Sequence, residues 1–167
     1  VEPIMTSQAF MRSMRDQPVP ADSIAIWFLG QNGFILKNSA GTLFGIDLYL
    51  TNSCAELFAD EPFRLDRQLP VFIEPEDLDI DVFITTHSHI DHADPETIRR
   101  IDKSRVREFI GPWNSIAVYE ANGVPSALIS LIHPGQRIEW PDGTKIGATF
   151  ALPTDDTDLN HTGVLLE

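Results

Sequence analysis

Cysteine is nearly absent from this chain. The single Cys54 excludes an internal disulfide, so the stapled scaffolds of small secreted domains do not apply and a reducing cytoplasm is the expected setting. No base is recognisable beside it, which makes it a packing or loop residue rather than a nucleophile. Positive charge is also scarce: 12 Lys and Arg face 25 Asp and Glu, for a formal net charge of −13. That deficit argues against broad contact with a phosphate backbone and, more weakly, against anionic membranes, so neither nucleic acid nor a membrane is an expected partner. No apolar run approaches the length that spans a bilayer. No basic region precedes an apolar stretch in Val1 to Met5, so no signal peptide is visible there. Internal repeats and low-complexity tracts are lacking too.

What the chain does have is enough apolar matter for one domain core, and one concentrated cluster. Hydrophobic residues make up 43% of 167 positions, with ten phenylalanines, which fits a globular protein with a sizeable interior. Between Ile84 and Asp94, His87, His89, Asp91 and His92 place three of the five histidines and an aspartate within six residues. The preceding Asp81 to Thr85 is short, apolar and β-prone, and predicts a buried strand. The following Asp94-Pro95-Glu96-Thr97 predicts a helix start, with Asp94 as N-cap and Pro95 at the first helical position. The polar side chains therefore belong to a loop that leaves a strand and enters a helix.

Such residues at such spacing suit metal ions. Neutral imidazole binds zinc, iron and similar cations, and a carboxylate adds charge. His87 and His89 are two apart, so on an extended segment they point the same way and can share one metal. Asp91 and His92 are adjacent and at a turn can face a second. Two metals about 3.5–4 Å apart can bind a bridging water, lower its pKa and polarise a substrate oxygen. An ordinary helix-capping loop accounts for one histidine. It does not account for three with an aspartate.

The His-x-His-x-Asp-His segment resembles the signature of the metallo-β-lactamase superfamily. Ile24 to Lys37 is similar to the opening hairpin of the branch that contains the L-ascorbate-6-phosphate lactonases and related metal-dependent hydrolases. Ile46-Asp47 followed by Leu48-Tyr49-Leu50, then Phe109-Ile110-Gly111-Pro112 and His133-Pro134-Gly135-Gln136, match its later landmarks. The likeness runs from about residue 22 to the C-terminus. It implies an α/β fold, a metallo-β-lactamase-like αββα sandwich of which this chain supplies about the first half. It implies two divalent metal ions, zinc or manganese, and a metal-bound hydroxide attacking an ester, lactone or phosphoester. A sugar-acid lactone such as L-ascorbate 6-phosphate is among the candidate substrates.

On this resemblance His87 and His89 hold the first metal, with Asp156 favoured over Asp155 and His161 as a further ligand. Asp91 and His92 hold the second, and Asp91 is the candidate catalytic residue that orients the hydroxide. Asp47 is either an acceptor supporting a ligand histidine or a strand-end turn former. Arg64 and Arg67 either line a pocket for a phosphorylated substrate or solvate the surface. The other readings are an iron-dependent oxidoreductase of the same superfamily and a non-catalytic metal-binding module. His133, in a His-Pro-Gly turn, is structural on this reading.

Along the chain, residues 1–22 form an N-terminal arm and linker. The arm carries a short helix over Ser7 to Asp16 whose Phe10, Met11 and Met14 pack over the sheet. Residues 23–167 form the N-terminal half of the hydrolase domain. Strands are expected at 24–29, 33–37 and 43–48. The irregular stretch 51–78 is either a loop over the site or a surface excursion. A helix at 95–103, a strand at 106–110 and a helix from Trp113 to Ala121 follow. Then come a strand at 127–132, a hairpin through Pro141-Asp142-Gly143, and strands at 144–152 and 163–166. The superfamily next expects a bridging aspartate and a distant histidine, and Glu167 precedes both. The expected partners are thus a small-molecule substrate, a C-terminal half or another chain that covers the apolar inner face of the sheet, and a further copy in a homo-oligomer.

Overall fold

The computed structural model describes residues 5–152 and 160–167. Its larger sheet has six strands in the order β1 (Ile24–Gly30), β2 (Gly33–Asn38), β3 (Leu43–Ile46), β4 (Val82–Ile84), β5 (Glu108–Gly111) and β6 (Ile129–Leu131). The first three are antiparallel neighbours, and from β3 onward the pairing is parallel. Antiparallel pairs close through tight turns, whereas parallel pairs need crossovers. The crossovers are residues 47–81, which include the short α2 (Ser53–Leu57), and the segments bearing α3 (Pro95–Arg100) and α4 (Trp113–Ala121). A second, antiparallel sheet follows: β7 (Arg137–Glu139), β8 (Lys145–Phe150) and β9 (Thr162–Leu166).

The pleat assigns each strand residue to a layer. On the outer face Leu29, Ile35, Leu43, Phe83 and Phe109 pack against Ile98 of α3, Tyr119 of α4, and Met11 and Met14 of α1 (Ser7–Asp16). The arm helix thus has the expected span and place. Lys37 holds its C-terminal end, donating from Nζ to the carbonyls of Arg15 and Gln17 at 2.5 and 2.8 Å. On the inner face Phe44, Val82, Ile84 and Ile110 meet Trp140, Ile146 and Ala148. Phe44, Val82, Ile84, Ile110 and Ile146 each contribute about 1.5–3 kcal/mol by their burial. The second sheet therefore covers much of the inner face that the sequence left for another polypeptide. What stays open is the β1–β2 end, where Ile24, Ile26, Phe28 and Phe34 are 38–62% exposed.

Of the boundaries that differ from expectation, two have clear local reasons. β3 stops at Ile46, not 48, because Asp47 takes a left-handed φ of 48° and turns the chain out of the sheet. α3 stops at Arg100, not 103, because Ile101 goes extended and is buried, after which Asp102 caps a separate 3-10 turn at Lys103–Arg105. No described helix is long and apolar enough to cross a membrane.

Candidate metal centre

Strand directions bring three chain segments to one edge of the larger sheet. β1, β3 and β4 run the same way, so the β1–β2 turn, Asp47 and the loop after Ile84 share the carboxyl ends of these strands. Ligands in open α/β sheets bind outside those ends. Asp47 N–H donates to Ile84 O at 2.9 Å, which ties β3's exit to the start of the histidine loop. Asp94 caps α3 as its sequence position predicts. It is fully buried, and its carboxylate accepts from the N–H groups of Glu96 and Thr97 and from the hydroxyls of Thr51, Ser53 and Thr97. One side chain thus fixes both the end of the histidine loop and the start of the long loop.

The histidines converge. Ring centroids of His87 and His89 are 4.6 Å apart, and those of His87 and His92 are 3.8 Å apart. His161 stacks on His87 at 4.2 Å. It arrives from the second sheet, because Thr162 at the start of β9 donates both its N–H and its hydroxyl to Thr86 O, at 2.9 and 3.1 Å. One donor nitrogen from each of His87, His89 and His161 can lie within 4.8 Å of the others. Asp155 and Asp156 lie outside the described residues. His133 sits apart in the turn after β6, its backbone N–H bonded to Gln136 Oε1.

A hydrogen-bond relay sets the ring nitrogens. Asp47, buried, accepts from Thr86 N–H and Thr86 O–H, each at 2.7 Å, and lies 2.9 Å from His92 Nδ1. His92 therefore keeps its proton on Nδ1 and offers Nε2 as an acceptor. Thr86, having given its proton to Asp47, can accept from His87 Nδ1 at 3.1 Å. His87 Nε2 is then left as a lone pair, buried and with no hydrogen-bond partner among the described residues. Burial, and next the neighbouring His92, His161 and His89, push the His87 pKa down to about 4, with Asp47 pulling weakly the other way. The ring is neutral near pH 7, the form that binds metals. An unpaired buried polar atom is costly, and among oxygen- and nitrogen-rich surroundings a divalent cation satisfies it. The donor set fits such an ion.

Asn32, which sequence reading passed over as a hairpin residue, belongs to the site. Its side-chain N–H group donates to Asp91 Oδ2 at 3.0 Å and lies 2.8 Å from His92 Nε2. The turn that delivers it has Gln31 at a φ of 56° and an irregular register between Phe28 and Gly30. The available signal was topological: a two-residue turn between Gly30 and Gly33 had to lie at the edge where β3 and β4 end.

The two loop arginines do not form a phosphate pocket. Arg64 pairs with Asp66 at 3.1 Å and its side chain is 81% exposed. Arg67 is turned inward. Its guanidinium donates to the carbonyls of Tyr49, Leu29 and Leu69 and lies 5.3 Å from the Tyr49 ring. The space it fills is left by Gly30, at a φ of 95°, where a Cβ would meet the guanidinium at 2.8 Å.

Compared with family models and with curated proteins, the sequence matches none. Solved structures are similar. An isothiocyanate hydrolase from Delia radicum gut bacteria superposes with a TM-score of 0.62 at 20% identity, over 85% of this chain and 57% of that one. A metallo hydrolase from the hyperthermophilic archaeon Ignicoccus hospitalis gives 0.59 at 18% identity, over 86% and 55%. The chain therefore spans just over half the length of these structures. At this identity the likeness concerns the fold, and the chain has the layered α/β fold of metal-dependent hydrolases that its sequence resemblance implied.

Proposed function

We propose that this chain carries the first part of the centre of a metal-dependent hydrolase acting on carboxylic esters or lactones. The observation that supports it most is the cluster of His87, His89 and His161 around the unpaired, buried Nε2 of His87. These three would hold one divalent cation, zinc or manganese, and His92 Nε2 with Asp91 would face a second. Asp156 or Asp155 would be candidates to complete either set. Cations bound there would supply a water of lowered pKa and polarise the substrate's oxygen.

The chain's own groups do the rest. Asp47 keeps the proton on His92 Nδ1, and Thr86 keeps that on His87 Nδ1, so both rings present Nε2 to the site. Asp91, 30% exposed and 3.9 Å from His92 Nε2, orients the attacking water and takes its proton on a carboxylate oxygen. The Asn32 amide holds that carboxylate in place. Esters and lactones are favoured over phosphoesters because neither Arg64 nor Arg67 faces the cluster. The test is hydrolysis of phenyl acetate and a δ-lactone by the full-length protein, before and after chelation. Activity should vanish with chelator, return with zinc or manganese, and be lost in His87→Ala. Chelator-resistant hydrolysis, or oxygen consumption in its place, would contradict the reading.

A further inference from the structure

The long loop bears more exposed apolar side chains than a solvated excursion needs. Leu57, Phe63, Leu65 and Leu69 are 39–64% exposed. The loop is nonetheless built rather than loose. At its start Thr51 and Ser53 are bonded to the buried Asp94. At its neck Asn52 Oδ1 accepts from Arg67 N–H at 3.0 Å, and the Arg67 side chain is anchored on Tyr49 and Leu29. A surface loop whose ends are pinned together in this way is a compact Ω-type unit. Tyr49 supports it from beneath: its hydroxyl accepts from Cys54 N–H at 2.9 Å.

Between this loop and the histidine loop lies a half-open pocket of about 340 Å3. Cys54, Phe58, Leu65 and Ile90 form its apolar side, and Gln31, His89 and Asp91 its polar side. No lysine or arginine lines it among the described residues. The volume is at the small end of the roughly 300–1,000 Å3 range of small-molecule sites. Two residues of the proposed metal centre therefore also border a partly apolar cavity.

We infer that this pocket binds an apolar acyl or aryl group of the substrate, next to the bond that is cleaved, and that Phe58 and Leu65 set its selectivity. The inference rests on the hydrolase reading and narrows its substrate class. Apolar ester or lactone substrates are selected, and small sugar acids and phosphorylated ones are not. On the side of Phe58, Leu65 and Ile90 the hydroxyls of a sugar lactone would find no partners, and a phosphate would find no lysine or arginine among the described residues. Burial of each methylene against such a wall raises affinity about three- to fourfold.

The experiment uses the full-length protein loaded with zinc and the n-alkyl carboxylates from acetate to hexanoate. Their dissociation constants are measured by calorimetry, with ester turnover followed separately over the same chain lengths. Kd should fall about three- to fourfold per added methylene, and Phe58→Ser and Leu65→Ser should each flatten that slope at unchanged zinc content. A flat slope in the unaltered protein, or an unchanged slope in both variants, overturns the inference. If no ester or lactone is turned over while the slope and its loss in the variants persist, the hydrolase reading fails and the pocket stands. Turnover with a flat slope sinks the pocket alone.

Discussion

At the scale of single residues, the site depends on who holds each proton. Asp47 is the hub, since it accepts from Thr86 twice and faces His92 Nδ1. Its left-handed backbone serves this directly, because the turn aims the carboxylate back at the histidine loop. Sequence position left Asp47 between a ligand-supporting acceptor and a turn former; its backbone makes the turn and its carboxylate faces His92 Nδ1. Replacing it with asparagine keeps the shape and removes the charge that favours a proton on Nδ1 and a metal at Nε2. Outer-shell losses of this kind lower metal affinity about 10- to 100-fold. Competition with a chromophoric chelator measures this, and unchanged affinity in Asp47→Asn would show that the relay is incidental. Asn32 was not legible at this scale, because nothing in a Gly-Gln-Asn-Gly turn says which side chain it will meet.

At the scale of elements, the caps and crossings decide where loops go. Asp94 joins the α3 N-terminus to the long loop through five donors. Asp94→Ala would strand buried hydroxyls and N–H groups and should cost about 2–4 kcal/mol, read as a lower denaturant midpoint. A loss below about 0.5 kcal/mol, the low end of capping effects, would mean that water replaces the carboxylate. The cap itself was readable, since Asp-Pro-Glu-Thr carries its own signal, as do the alternating strands and the α1 helix. The arrival of His161 was less so. It depends on Thr162 reaching across from the second sheet to Thr86 O, a pairing between residues 76 apart. No local pattern encodes such a contact. For the same reason the fate of Arg67 was hidden: a loop arginine reads as solvated until the fold shows three carbonyls around it.

At the scale of the whole molecule, one layer positions and another completes. The larger sheet brings the β1–β2 turn, Asp47 and the histidine loop to a common edge, and helices support it from outside. The smaller sheet packs on its inner face and carries His161 to the same edge. The layered class followed from the strand and helix pattern. That the last strands form a second layer did not, because their pattern marks strands but nothing local says that they leave the larger sheet and fold onto its inner face. Acidic groups crowd the surface, while the pocket beside the site has an apolar wall.

The central claim is that histidines from both layers form one metal site, and metal affinity tests it most directly. Zinc is titrated into the full-length protein against a competing chelator, for the unaltered chain and for His87→Ala, His89→Ala, His161→Ala and His133→Ala. The first three should each weaken binding at least as much as the roughly 10- to 100-fold cost of losing an outer-shell partner, and His133→Ala should bind as the parent does. Equal losses in all four, or a His161→Ala protein that binds zinc undiminished, would contradict the account.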